Sequence, residues 1–313
     1  MKNICILIFA LLYNSATSQV IVQDYKSKEM KKFLASKTLF VLSGKKEFDD
    51  GLKSAVKAYW KITPFDFITE NEIDSRITDE SLSFLANVEY VRLADDRSGG
   101  LDKNTFTKYS LICGGRKSLD KYKYNEKDEI GYFNGEITKL SLYGSKVYEN
   151  KESKNNTGGN RLEIMSLDFI IKAMNDGIEA VTNDKITGGG EKVAQSVFDH
   201  FNISAPTLKQ KTLLIDKNYT IDRGPHLGTL VDVKSLQSHG IKYEVKTPEE
   251  ISELIKKGDP KYCVYVQIIS MGFFSYIFDL ESKATVFANL DLRNPSFDKK
   301  SVELLATKIE GKK

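Results

Sequence analysis

The stretch Lys211–Ile269, KTLLIDKNYTIDRGPHLGTLVDVKSLQSHGIKYEVKTPEEISELIKKGDPKYCVYVQII, decides the fold. It opens on a short apolar run, Lys211–Ile215. Apolar residues then alternate at Ile241, Tyr243 and Val245, the period of a strand. Thr247 is an N-cap followed by Pro248 at the first helical position, with Glu250 three residues after the cap. Ile251, Leu254 and Ile255 form one helical face, and Gly258 and Pro260 stop the helix. Tyr262–Ile269 is apolar enough to lie inside a sheet. The reading is strand–helix–strand–helix–strand.

The same order occurs earlier. KTLFVLSG (Lys37–Gly44) echoes KTLLID, and FDFITENEIDSRI (Phe65–Ile77) echoes YEVKTPEEISELI (Tyr243–Ile255), pairing Thr69 with Thr247, Ile73 with Ile251 and Ile77 with Ile255. VEYVRL (Val88–Leu93) echoes CVYVQI (Cys263–Ile268). An internal duplication accounts for this, against the alternative that any two βαβ stretches look alike. The fold class expected is α/β: two related α/β domains with mixed sheets flanked by helices.

The N-terminus sets an address. Met1-Lys2-Asn3 is a short basic start and ICILIFALLY (Ile4–Tyr13) an apolar run too short to span a bilayer. Ala16 and Ser18 then stand where a leader peptidase expects small residues. Residues 1–18 read as a signal peptide, leaving Gln19 first and the chain exported, to periplasm or medium. No later stretch is apolar for long enough to span a membrane.

Four segments are expected after the leader: an N-terminal segment 19–36, a first domain 37–183 with an exposed Asn- and Gly-rich loop at 149–160, a linker and helix 184–209, and a second domain 210–313. Within the first domain the pattern predicts a helix over Glu47–Trp60, strands at Phe65–Ile68, Val88–Leu93 and Tyr109–Cys113, one or two more between Ile137 and Tyr148, and a long helix Leu162–Val181. Within the second it predicts a hairpin over Phe273–Leu290 and a final helix Lys299–Ile309.

Composition narrows the partners. The 313 residues are 41% hydrophobic and 28% charged, the balance of a globular chain. The formal charge of +3, near +2 without the leader, favours neither nucleic acid nor an anionic membrane. Two cysteines outside the leader, Cys113 and Cys263, both sit in apolar strands and read as buried thiols, although export would permit a disulfide.

Candidate sites are few. Gly188-Gly189-Gly190 precedes a helix, where glycine can cradle phosphate, but no nucleotide-binding spacing surrounds it; a hinge between the halves is the plainer reading. The three histidines, His200, His226 and His239, have no metal-ligand spacing, and neither a metal nor a cofactor is expected. No nucleophile elbow is present; Ser98 in DRSGG is the nearest imitation. Asp222, Arg223 and His226 share one loop after the Lys211–Ile215 strand. Acid, guanidinium and imidazole at the carboxyl end of a strand could bind a small anion or a peptide carboxylate, or serve a hydrolase. An exposed turn rich in Gly and Pro is the plainer reading.

The second half resembles the small α/β domain of TolB N-terminal, CsgG and LpoB type bacterial envelope proteins. The resemblance rests on the order KTLLI, YEV, EEISELIKKG, YCVYVQI, the hairpin FDLESKATVF and the helix SVELLATKI; it covers Lys211–Ile309 and, more loosely, Lys37–Val181. It implies a non-catalytic domain that binds partner proteins in the envelope. Together with export, duplication and the lack of a catalytic constellation, the expectation is a non-catalytic envelope protein that binds a protein or a glycan across the groove between domains or by a sheet edge. It transfers no functional residue. The first half departs from it in a longer, more polar Tyr109–Tyr148 region. The leader resembles those of Bacteroidota secreted proteins.

Overall fold

A computed structural model describes residues 21–95, 101–117, 129–134, 166–221, 230–269, 273–291 and 296–312. The first sheet contains β1 (Ile21–Val22), β2 (Lys37–Leu42), β3 (Phe65–Thr69), β4 (Leu82–Asp95), β5 (Leu101–Cys113) and β6 (Glu129–Asn134), in the order β1-β6-β5-β4-β2-β3. The second contains β7 (Thr212–Asp216), β8 (Tyr243–Lys246), β9 (Tyr262–Ile269), β10 (Phe273–Asp279) and β11 (Thr285–Asp291), in the order β11-β10-β9-β7-β8. Setting aside the two-residue β1, the two orders are identical. In both, the first two strands and the third run parallel and the rest antiparallel. The chain is two related α/β domains with mixed sheets.

The helices repeat as well. They are α1 (Lys28–Leu34), α2 (Lys46–Tyr59), α3 (Ile73–Arg76), α4 (Leu167–Asn183), α5 (Gly190–Asn202), α6 (Val233–Ser238), α7 (Pro248–Lys257) and α8 (Lys299–Ile309). Thr69 and Thr247 open the equivalent turns with the same capping box: each backbone N–H donates to the carboxylate three residues on, Glu72 and Glu250, at 2.8 Å. Gly258 ends α7 at φ +62, the left-handed conformation that glycine adopts without strain.

The register corrects part of the sequence alignment. Leu39 pairs with Asp66 and Phe84, and Leu214 pairs with Glu244 and Val264, so Leu39 is the counterpart of Leu214, one residue beyond the KTL match. The same offset sets Phe84 against Val264, so Val88 corresponds to Ile268 and not to Cys263. A short apolar run matches itself in several registers, and only strand pairing fixes which one holds. The third strand also begins six residues before the expected Val88, and the echo of the Thr247 helix in the first domain, after Thr69, is only a 3₁₀ turn followed by the four-residue α3.

One apolar core joins the domains. Phe40, Leu85, Tyr109 and Leu111 of the first sheet, Phe48, Leu52 and Val56 of α2, and Val264, Val266, Tyr276 and Phe278 of the second sheet belong to a single cluster, with α4 and α5 supplying Phe169, Ile170, Met174, Val193, Val197 and Phe198. Phe169 of α4 stacks on Phe278 of β10, ring centroids 4.7 Å apart. The opposite face of the second sheet is closed by Leu236 of α6 and Val302 and Leu305 of α8, and the outer face of the first by Ile73 of α3 with Ile77. The two units are stacked head to tail. That overturns the reading of Gly188–Gly190 as a hinge, because the helices on both sides of it lie in the shared core.

A shared core predicts one cooperative transition. Phe169→Ala should cost about 3–5 kcal/mol, the range for deleting a buried phenyl group, while urea unfolding followed by far-UV circular dichroism and by tryptophan fluorescence (Trp60 is the only tryptophan) stays coincident. Separate transitions for the two probes would refute the single core.

Candidate functional site

Asp222, Arg223 and His226 lie outside the described residues, as do the leader, Ser98, the loop 149–160 and the strands expected between Ile137 and Tyr148. What is described is the base of the Asp222–His226 loop. It leaves the carboxyl end of β7 through Asp216 and Tyr219. The Tyr219 carbonyl accepts the N–H groups of Leu230 (2.9 Å) and Val231 (3.1 Å) on the way back, so the two ends of the loop are tied together. Asp216 is 6% exposed, and its carboxylate accepts the Asn218 N–H at 2.8 Å; burial raises its pKa. A carboxylate and a pinned loop stand at the strand end where open α/β sheets bind ligands.

The glycine turn already holds an anion. Gly188 adopts φ +142 and its N–H donates to the carboxylate of Asp24, which lowers the Asp24 pKa. Tyr25 N–H donates to Ile186 O at 3.0 Å, so the N-terminal segment is fastened across the turn. The Asp24 carboxylate takes the Gly188 N–H, so that donor of the turn is not open to a phosphate.

The other reactive groups are engaged in structure. Cys113 and Cys263 are buried thiols outside any disulfide, on different sheets, in line with their apolar sequence setting. Cys113 Sγ lies 3.4 Å from Glu29 O; Cys263 Sγ lies 3.7 Å from Asp279 Oδ2, and burial with the Asp279 charge pushes its pKa far up, away from reactivity. Burial works to raise the Asp279 pKa, but the ion pair with Lys211 and bonds from Ser282 hold it below the usual value. Ser36, Thr38, Thr63 and Ser83 form a buried chain of hydroxyls, 2.6–2.9 Å apart, at the amino ends of β2 and β4, the end of a parallel sheet opposite to where ligands bind. His239 ends α6 with Nδ1 2.9 Å from Ser235 O, and His200 Nδ1 lies 3.8 Å from Asp184. Among the described residues no three His, Cys, Asp or Glu side chains are placed to hold a metal ion.

A cation–π contact crosses between the domains. Lys283, at φ +60 in the β10–β11 turn, is 8% exposed; its ammonium donates to Ile255 O at 2.8 Å and lies 5.6 Å from the Phe169 ring centroid. Asp168 on α4 shares this setting. Burial raises the Asp168 pKa, only partly offset by Lys283, and burial lowers the Lys283 pKa against the pull of Asp168 and Asp279.

The sheet edges are treated unequally. At β11, Asn202 of α5 accepts the Ala288 N–H (2.8 Å) and donates to the Ala288 carbonyl (3.1 Å), using its carboxamide as a neighbouring strand would. At β6, β1 supplies a partner, extended by Gln23 N–H to Ile130 O at 2.8 Å. β3 and β8 are five and four residues long and carry ion pairs, Lys37–Asp66 at 3.0 Å and Glu244 with Lys246 (3.2 Å) and Lys261 (3.4 Å). Short, charged or covered edges resist added strands. β4 differs. It pairs with β2 only over Leu82–Leu85, yet with β5 as far as Asp95↔Leu101. β6 meets β5 only from Lys108 to Ile112, so the pairs Glu89↔Thr107 to Asp95↔Leu101 run on beyond it as a two-stranded ribbon, about 24 Å long at 3.4 Å per residue. The second domain has no such overhang: β9 ends at Ile269, and β11 flanks β10 from Phe278 to Phe273. Sequence reading placed a strand on the outer part of β4 (Val88–Leu93) and one at the base of β5 (Tyr109–Cys113), but missed the base of β4 and the extension of β5.

No protein-family model, curated protein or solved structure matches the chain. No helix of the described residues is long and apolar enough to cross a membrane.

The Asp168 shift has a defined sign. Its pKa in the folded chain is raised above the unfolded value, so its contribution to stability is present below the unfolded pKa and lost as pH rises through the folded one. Relative to Asp168→Asn, the parent chain should therefore lose stability as pH climbs from below the ordinary carboxylate range toward neutrality. Urea titrations of both proteins at pH 3.5, 5 and 7 check this; a variant that falls behind as pH rises would show that Lys283 outweighs burial.

Proposed function

We propose that the chain is an exported, non-catalytic envelope protein that binds a protein or glycan partner on its surface. The observation that carries this reading is the use made of its reactive side chains. The thiols are buried, the buried hydroxyls bond one another, the acid at the glycine turn closes that turn, and Lys211–Asp279 lies inside the second domain. A rigid double domain spending its polar groups this way offers a surface rather than a reaction centre. Export rests on the leader, and the kind of partner on the resemblance of the second half to envelope domains.

Expression in a Gram-negative host should yield an envelope or medium form whose intact mass begins at Gln19. This form should retain partners from envelope extracts after cross-linking, and Asp222→Ala with His226→Ala should leave capture unchanged. A chain that stays in the cytoplasm with Met1 attached would rule out export. Hydrolytic activity on a panel of ester, peptide and glycoside substrates, abolished by the same two substitutions, would replace the binding reading with an enzyme.

A further inference from the structure

The N-terminal segment crosses the first domain as a strap. β1 pairs with β6 through Ile21↔Tyr132 and Val22↔Gly131, and Gln23 N–H continues the ladder to Ile130 O at 2.8 Å. Val22 is buried and belongs to the core shared by the domains. The strap then reaches the turn between α4 and α5. There the Asp24 carboxylate accepts the Gly188 N–H, and Tyr25 N–H donates to Ile186 O at 3.0 Å. It thereby fastens the edge strand of the first sheet to the helical layer between the two sheets. Behind it α1 buries Met30 and Phe33, and Phe33 meets Trp60 edge to face, ring centroids 6.3 Å apart.

We infer that Ile21–Tyr25 is a maturation latch, which closes on β6 and the α4–α5 turn only after the leader has been cut. This rests on the export reading above and deepens it. The expected cut follows Ser18, so Gln19 and Val20 alone separate it from the first paired residue, Ile21. Two extended residues span about 7 Å. Proteolysis acts on the open form of a chain, with the residues on both sides of the bond drawn out of the fold. While Ile21 and Val22 are held in the sheet, so short a length cannot reach through an active-site cleft. Cutting therefore requires β1 off β6, and closure follows the cut. The latch is built to open by itself. It consists of a two-residue strand and one carboxylate clasp, whereas α1 behind it is anchored by its own buried residues. Such a terminal element can open while the rest of the fold stands.

The test uses the full chain from Met1 to Lys313, folded in detergent micelles, with a purified bacterial leader peptidase as probe and intact mass as readout. A synthetic peptide of residues 1–27 sets the rate for an unprotected site, and the folded chain should be cut at least tenfold more slowly. Asp24→Ala removes the acceptor of the Gly188 N–H and should speed cutting of the folded chain about tenfold, the effect of losing a hydrogen bond to a charged group. Phe169→Ala, which weakens the shared core far along α4 from Ile186 and Gly188, should leave the rate unchanged. Amide exchange of the unsubstituted chain decides independently if Asp24→Ala fails to fold. Gln23, Tyr25 and Gly188 should exchange faster than the amides of β7 and β9, by local opening. Equal cutting of folded chain and peptide would overturn the latch while leaving export intact. So would acceleration by Phe169→Ala without acceleration by Asp24→Ala, or exchange at those three amides as slow as in the core. A peptide that the peptidase leaves uncut would overturn the leader, and this inference with it.

Discussion

The packing of α4 between the two sheets is the constraint on which the rest of the structure depends. Eleven of its seventeen residues are buried, from Leu167 to Val181. Its counterpart α8 has three of eleven, Ser301, Val302 and Leu305. The helices occupy equivalent places in the duplicated fold and differ in what lies outside them. α4 has a second sheet there, whose Phe278 stacks on Phe169. α8 has solvent there and carries Lys299 and Glu303, 3.8 Å apart and largely exposed. The outer face of α8 is therefore polar, where the equivalent face of α4 is apolar.

Much of this was legible in the sequence because local signals are strong where a helix starts and stops. Thr247, Pro248, Glu250 and Gly258 each have one physical job, and each does it. The duplication was legible through the same signals, since Thr69 and Glu72 repeat the capping box. What the sequence could not carry was register. KTLF and KTLLI match best with Leu39 on Leu213, whereas pairing to Asp66 and Glu244 sets Leu39 on Leu214. A one-residue slip turns each side chain to the other face, and in a strand buried on both faces both choices look apolar. That face decides which side of the second sheet meets α4, so the sequence indicated two related domains without indicating that they share one core.

The candidate sites divide along the same line. A glycine triplet before a helix reads identically whether its N–H groups face a ligand or a carboxylate of the chain itself. Asp24, more than a hundred and sixty residues away, settles the matter, and nothing local announces it. Cys263 reads as a buried thiol from its apolar neighbours alone, which is correct, but its contact with Asp279 depends on the β9–β10 pairing Cys263↔Asp279. Residue type and spacing predict chemistry only within one element; contacts between elements require the topology.

Asn202, β1 and the ribbon follow from a further constraint. Two copies of one fold start with the same edges, and each must be covered or used. The copies cover theirs by different means: β1 lies against β6, and a carboxamide from α5 lies against its counterpart β11. Since α5 sits between the sheets, that cover exists only because the domains are stacked. The third strands of the two copies differ in length. β9 runs five residues beyond its last pairing with β7, whereas β4 runs ten beyond its last pairing with β2. The copies thus differ in the length of one strand pair while strand order and direction are kept.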